Sequence, residues 1–103
     1  MDKLLRDKLA SALGAAFGTR LAGVILYGSE ARGQADEDSD IDLLVLLTDG
    51  PTEPEDSWRC IETVYPLVLE CGRPIHAEPI NVAEYRAGEF PLYRHAQREG
   101  ILL

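Results

Sequence analysis

The sequence predicts an α/β fold of the α+β kind, a small mixed sheet of three or four strands with helices packed on it. Three observations lead there. Apolar residues recur at helical spacing in three separate segments, and three short aliphatic runs bounded by turn residues lie among them. The resulting order is α-β-α-β-α-β-α. Finally, only about ten residues link the first strand to the second, fewer than a parallel crossover with a full helix needs, so these two are expected to be antiparallel neighbours.

The elements follow in order. Between residues 2 and 17, Leu5, Leu9, Ala12, Leu13, Ala16 and Phe17 form one helical stripe, and Gly18 is placed to stop it. "LAGVILYG" (21–28) reads as a buried strand. "GSEARG" begins with a capping residue, Ser29, and closes at Gly33, the pattern of a helix of one to two turns. "SDIDLLVLL" (39–47) alternates at first, Asp40 and Asp42 against Ile41 and Leu43, and then becomes continuously apolar, a strand with a polar mouth and a buried end. "TDGPTEPED" (48–56) is a loop.

From residue 56 to 71, Ile61, Val64, Tyr65, Val68 and Leu69 repeat at helical spacing and Gly72 follows as a cap; Pro66 should bend this helix near residues 62–66. "PIHAEPINV" (74–82), bounded by prolines, reads as an edge strand, where a missing N–H is tolerated. "PLYRHAQREG" (91–100) is a last short helix that stops at Gly100 and leaves the apolar tail Ile101 to Leu103. With 103 residues, the span 1–103 is expected to be a single domain with one core.

Composition narrows the function. The 18 acidic against 10 basic residues give a net charge of −8, opposite to the basic footprint of a chain that grips nucleic acid by its phosphates. The same charge suits a basic protein partner or bound cations. Cys60 and Cys71, eleven residues apart on one helix, would be ~16 Å from each other, beyond the ~7 Å limit for a disulfide, so both are expected as thiols. No run approaches the ~18 apolar residues of a membrane span. The stretch "MDKLLRDKLASALGAAFGTR" is amphipathic and carries acids, unlike a signal peptide. A reducing cytoplasm is the expected location.

Chemistry concentrates in "LYGSEARGQADEDSDIDLLVLL", residues 26–47. Gly28 lets backbone approach an anion closely, and Ser29 can add a hydroxyl donor; equally, the pair can be no more than a turn and a cap. Asp40 and Asp42, at i and i+2 of a strand, project from one face, where two like charges repel unless a cation lies between them. Alternatively both stand at a solvated strand mouth. Carboxylates together with phosphate oxygens suit Mg²⁺.

Taken together, "GSEARGQADEDSDIDLLV" resembles the motif of the DNA polymerase β-type nucleotidyltransferase superfamily: Gly-Ser, a spacer, then Asp-x-Asp on the next strand. Its wording is most similar to the minimal nucleotidyltransferase branch, as is the C-terminal "REGILL". The resemblance implies a polymerase β-like fold in which Gly28 and Ser29 hold the β- and γ-phosphates of a nucleoside triphosphate. Asp40 and Asp42 would ligate two Mg²⁺ ions, which stabilise the attacking and leaving oxygens of an in-line displacement at the α-phosphate. Arg32 would reach the triphosphate, or else pair with Glu30 or Asp36. Asp36, Glu37 and Asp38 read as a solvated loop.

The family also carries a third carboxylate on a later strand, as ligand and base. In "PIHAEPI" the candidates are His76 and Glu78, on one face at i and i+2, and Glu78 is taken as the third catalytic and metal-binding residue. His95 reads as a surface or partner-facing histidine, and Trp58, Tyr65 and Tyr85 as core or interface aromatics. The branch implies transfer of AMP from ATP to a hydroxyl of a helical HEPN-type toxin, with this chain as its antitoxin within a homo- or hetero-oligomer. The alternative is a catalytically weak module of the same fold that neutralises a partner or binds nucleotide without turnover. Nucleotidylation of a small molecule, as in aminoglycoside-modifying relatives, would require a second domain for which the 103 residues leave no room.

Overall fold

The computed structural model describes residues 1–36 and 38–103. Helix α1 spans Lys3–Phe17, capped by the Asp2 side chain, which accepts from the Leu5 N–H at 2.8 Å, and stopped at Gly18. Strands β1 (Leu21–Tyr27) and β2 (Ile41–Leu47) follow, then helix α2 (Pro54–Cys71), strand β3 (Ile75–Asn81), helices α3 (Val82–Ala87) and α4 (Pro91–Glu99), and strand β4 (Ile101–Leu102). The sheet is four-stranded in the order β3-β2-β1-β4. β1 and β2 are antiparallel, as their short link requires, and α2 carries the chain across to β3 parallel to β2.

β2 is one of the two inner strands and is covered on both faces, which explains its continuously apolar run. Because side chains alternate, its odd-numbered residues Ile41, Leu43, Val45 and Leu47 join Leu9, Leu13 and Phe17 of α1 and Cys60, Val64 and Leu67 of α2 in the larger core. Its even-numbered Leu44 and Leu46 join Ile25, Ile80, Val82, Tyr85, Tyr93 and Ala96 in a smaller one. That second face is covered by α3 and α4 only beyond Leu44, so Asp42, on the same face, stays half exposed.

Several elements differ from the expectation. Residues 28–33 form consecutive turns, not a short helix, so Ser29 caps nothing. Gly28 and Gly33 both have positive φ, 76° and 70°, leaving four residues between them, too few to nucleate a helix. α2 starts two residues early, at Pro54, and runs through Pro66 as one helical segment; Pro66 is exposed, where its ring displaces no packing partner. Strand β3 ends at Asn81, whose side chain accepts from the N–H groups of Ala83 and Glu84 and starts α3, a helix absent from the expected element order. The apolar tail forms β4, paired through Leu26↔Ile101 and Ile25↔Leu102. Gly100 permits this return, since a Cβ there would lie 2.6 Å from Ile25 Cγ2 and against the Ala96 carbonyl. Trp58 and Tyr65 are exposed and not in the core, whereas Tyr85 is buried. Both cysteines are free thiols, and burial pushes the Cys60 thiol up to about 12. Among the described residues no helix is long and apolar enough to cross a membrane.

Two ion pairs, one buried and one partly buried, hold the loops that β1 and β2 enter and leave. Arg73 bridges the whole 28–40 connection: its Nε donates to the Ser39 carbonyl at 3.0 Å, and Nη1 and Nη2 donate to the two oxygens of Glu30 at 3.3 and 3.0 Å. The pair's side chains are 13% and 6% exposed, and the Met1 amine also pairs with Glu30. One planar guanidinium thus ties a residue next to Ser29 to a residue next to Asp40. At the opposite end of the sheet, Arg20 donates to both oxygens of Asp56 at 2.8 and 3.1 Å, and Asp56 also accepts from the Glu53 N–H.

Arg73→Met leaves a buried carboxylate with the Met1 amine as its remaining charged partner, and is expected to lower stability by about 2–3 kcal/mol. A thermal melt should show Tm lowered by roughly 10–20 °C, with Arg73→Lys recovering part, since an ammonium lacks the fork that reaches both ends of the loop. The Arg20 guanidinium holds the Asp56 carboxyl below the usual carboxylate range, with burial opposing it and the Glu53 N–H assisting. A depressed folded-state value contributes stability above the unfolded value and loses it as pH falls through the folded one, so this contribution begins to be lost below about pH 4. Asp56→Asn should be about 1 kcal/mol less stable at neutral pH, since the partly exposed Arg20 can be solvated, and show a flatter loss of Tm on acidification below pH 4.

Candidate functional site

Gly28 follows β1 and begins the turn, and its left-handed backbone lies against the Asp42 carboxylate: a Cβ built on Gly28 would stand 2.8 Å from Asp42 Oδ2. The two halves of the motif, fourteen residues apart in the chain, therefore touch. The antiparallel register makes this contact, because Tyr27 pairs with Asp42 and the next residue turns over it.

The turn itself is closed by N–H groups of Arg32, Gly33 and Gln34, which donate to the carbonyls of Gly28, Glu30 and Ser29 at 3.2, 3.2 and 2.9 Å. Among the described residues, the N–H groups of Ser29, Glu30 and Ala31 have no backbone acceptor. Successive N–H groups without a backbone acceptor beside a positive-φ glycine are donors that an anion could use. The donor set is thus a turn of amides, in place of the positive end of a helix that the capping pattern suggests.

Asp40, just outside β2, is exposed, and Asp42 is half-buried. Burial raises the Asp42 carboxyl above the usual range, the neighbouring Asp40 charge raises it further, and His76 acts the other way. Two carboxylates in mutual electrostatic contact, one of them desolvated, fit a divalent cation, whose charge would relieve both effects. Among the described residues, however, no three His, Cys, Asp or Glu side chains gather closely enough to enclose a metal ion by themselves. Protein ligands beyond the two aspartates would have to be replaced by phosphate oxygens and water, the usual arrangement for Mg²⁺.

The parallel β2–β3 register decides what stands beside Asp42. His76 pairs with Asp42, and Glu78 pairs with Leu44, about 7 Å further along the strand. Both side chains are exposed on the Asp42 face. The charge of Glu78 is felt by Tyr27 and Tyr93. Burial, then the charges of Asp42 and Glu78, push the Tyr27 hydroxyl up to about 12. Burial, Glu84 and then Glu78 raise that of Tyr93.

Arg32 is exposed; its Nε donates to Gln34 Oε1 at 3.2 Å, and Nη1 is 3.7 Å from Glu99 Oε2. Its partner is thus Glu99 of α4, whereas Glu30 is taken by Arg73. Arg32, Tyr27, Gly28, Leu92, His95 and Glu99 line a cavity of about 220 Å³ that opens beside the turn. His95, exposed as expected, is brought to this cavity by α4, with its Nδ1 3.0 Å from Arg98 Nη2. In the acidic run, Asp36 accepts from the Asp38 N–H at 2.9 Å and the Ser39 hydroxyl at 3.1 Å, which holds its carboxyl below the usual range and organises the approach to Asp40. Glu37 lies outside the described residues. Arg73 and Glu30 escape a reading of the sequence because their pairing spans 43 positions and no local pattern announces it.

Residues 6–90 match the family model described as "Nucleotidyltransferase domain". A protein of Methanocaldococcus jannaschii named "Putative protein adenylyltransferase" is 53% identical over 36 residues, 35% of this chain and 36% of that one, so the match spans about a third of the length of this curated relative. Among solved structures, a toxin-antitoxin with AMP-PNP superposes with a TM-score of 0.63 at 20% identity, covering 93% of this chain and 69% of the other. A mutant of the toxin-antitoxin MntA-HpeT gives 0.62 at 19% identity, covering 100% and 72%. At such identities these two neighbours speak for the fold. Since the family model covers most of the sequence, including the Gly28 turn and both aspartates, the chain belongs to the nucleotidyltransferase domain family.

Proposed function

We propose that this nucleotidyltransferase transfers AMP from ATP, with Mg²⁺, to a hydroxyl of a partner protein, and that the partner is a helical HEPN-type toxin which the chain neutralises as its antitoxin. The observation that carries the reading is the close approach of Gly28 to Asp42, which brings the turn whose Ser29, Glu30 and Ala31 N–H groups have no backbone acceptor among the described residues next to the Asp42 carboxylate. One relative named as a putative protein adenylyltransferase and two structural neighbours that are toxin-antitoxin proteins, one with AMP-PNP, support the choice of nucleotide and partner.

In this reading Gly28 and Ser29 hold the β- and γ-phosphates through backbone N–H groups and the Ser29 hydroxyl. Arg32, freed from Glu99, adds a charged donor to the triphosphate. Asp40 and Asp42 would hold Mg²⁺, which would supply positive charge to the phosphate oxygens. The acceptor oxygen bonds to the α-phosphorus, the bond from that phosphorus to the α,β-bridging oxygen breaks, and pyrophosphate leaves. The hydroxyl proton passes to a base on β3. There His76 stands abreast of Asp42, and Glu78, the third carboxylate of the resemblance, stands further along and would serve as ligand or base if it swings back toward the mouth of the strand. The two free thiols agree with a reducing cytoplasm.

A second reading is favoured by one observation, the lack of a third ligand grouped with Asp40 and Asp42 among the described residues. In it the fold binds a partner or nucleotide with little turnover. Incubation with α-labelled ATP, Mg²⁺ and the HEPN-type partner separates the two. Label should appear on the partner and fall by about 100-fold or more in Asp42→Asn and in Asp40→Asn. Tight association of unlabelled partner with the wild-type chain would sink the first reading and leave the second.

Gly28→Ala places a methyl group against Asp42 Oδ2 and puts a non-glycine residue at φ 76°. It should cost about 1–2 kcal/mol in stability by thermal melt. Label transfer should fall much further than this destabilisation accounts for at temperatures where the variant is folded, with the loss appearing in KM for ATP as well as in kcat.

A further inference from the structure

Helix α2 carries more apolar surface than the rest of the chain uses. Its inner face buries Asp56, Cys60, Val64 and Leu67. The side toward α1 is occupied by Arg59, whose Nη1 donates to the Ala16 carbonyl at 3.1 Å and whose guanidinium lies over the Phe17 ring, and by Glu70, ion-paired with Lys8. On the remaining arc Trp58, Ile61, Tyr65 and Leu69 follow at spacings of three, four and four, a single stripe ~16 Å long. They are 65%, 53%, 56% and 66% exposed. A surface helix ordinarily has one apolar stripe, facing its core. A second, opposite the first and containing a tryptophan and a tyrosine, is the composition of a contact surface.

Charge selects the occupant. Glu55 and Glu62 are the exposed charges nearest the stripe on this helix, and neither forms an ion pair among the described residues. Arg59, the one cation of α2, is drawn away toward α1. A second copy of the chain would bring the same acids and another net charge of −8 to this face. A helix with Lys or Arg beside its apolar residues would answer both features at once.

We propose that the Trp58–Ile61–Tyr65–Leu69 stripe docks an amphipathic helix of a basic partner protein, with its apolar i, i+3/i+4, i+7 residues on the stripe and its Lys or Arg residues against Glu55 and Glu62. α2 packs on the sheet face opposite Asp42, so docking leaves the nucleotide site open. Occupancy of the stripe does not require that AMP be transferred.

Trp58 is the sole tryptophan, so its emission reports occupancy of the stripe directly. Two tryptophan-free peptides, each roughly five helical turns long with the same leucine stripe, are titrated, one flanked by Lys/Arg and one by Glu. The basic peptide should give a saturable blue shift, and the acidic one should bind at least about tenfold more weakly. The double variant Ile61→Ser/Leu69→Ser, at exposed positions, should keep its melting curve and lose at least about tenfold in affinity for the basic peptide. Tyr65→Ser, read the same way, replaces it if the double variant melts early. Equal binding of both peptides, unchanged affinity in the variants, a blue shift that grows with protein concentration alone as a dimer sediments, or one produced by lipid vesicles but not by the basic peptide would each overturn the proposal.

Discussion

The contact between Gly28 and Asp42 is the constraint on which the site depends. A carboxylate on the central strand is half-buried because the sheet around it is a core, and its neighbour Asp40 makes its charge harder to keep. Only a residue without Cβ, in a backbone conformation that L side chains rarely adopt, can turn the chain over it that closely. The antiparallel pairing of β1 with β2 follows from the same requirement. A full crossover helix would carry the end of β1 away from the start of β2, and the amides could not face the carboxylates. The short, acidic connection is thus part of the geometry and not merely a linker.

A tight connection between two strand ends must be kept in register, and the surrounding side chains do this from outside it. Arg73, at the foot of β3, reaches Glu30 and the Ser39 carbonyl, one residue inside Ser29 and Asp40 respectively. Asp36 closes the loop on itself through the Asp38 N–H and the Ser39 hydroxyl. The acids of the 26–47 stretch therefore separate into two roles. Glu30 and Asp36 hold backbone, while Asp40 and Asp42 stand toward the open face. Charge composition alone could not have assigned them, because the same carboxyl group becomes an anchor or a prospective ligand according to what its neighbours present.

The parts of this arrangement that were legible in the sequence are those carried by local pattern. The stripe of Leu5, Leu9, Leu13 and Phe17, the continuously apolar end of β2 and the brevity of the link at residues 28–39 each encode one element or one pairing. What stayed hidden depends on pairs distant in the chain or on competing backbone preferences. The two positive-φ glycines made a turn of what a capping serine suggested was a helix. Asn81, spaced three residues from Glu84 and ahead of Gly88, did carry a helix-start pattern, which the neighbouring strand signal overrode. The β2–β3 register was beyond reach: a shift of two residues would preserve the face of both His76 and Glu78 and exchange which of them lies beside Asp42.

The two faces of the sheet divide the labour of the molecule unequally, and this follows from where α2 lies. Having crossed from β2 to β3, α2 must bury one side against the sheet and another against α1, and Cys60, Val64, Leu67 and Arg59 meet those demands. Nothing in the fold requires Trp58, Ile61, Tyr65 and Leu69 to be apolar, since an exposed helix face is stabilised equally well by charged residues with i,i+4 partners. The opposite face, where α3 and α4 stop short of Asp42, is also left incomplete, but there the missing contacts are polar: amides without a backbone acceptor among the described residues, two neighbouring carboxylates whose charges repel, and an arginine held by Glu99. One face thus offers donors and anionic ligands suited to a small charged substrate, and the other an apolar surface edged with acid, suited to a macromolecule. Placing the two kinds of surface on opposite sides of one sheet lets either be occupied without covering the other.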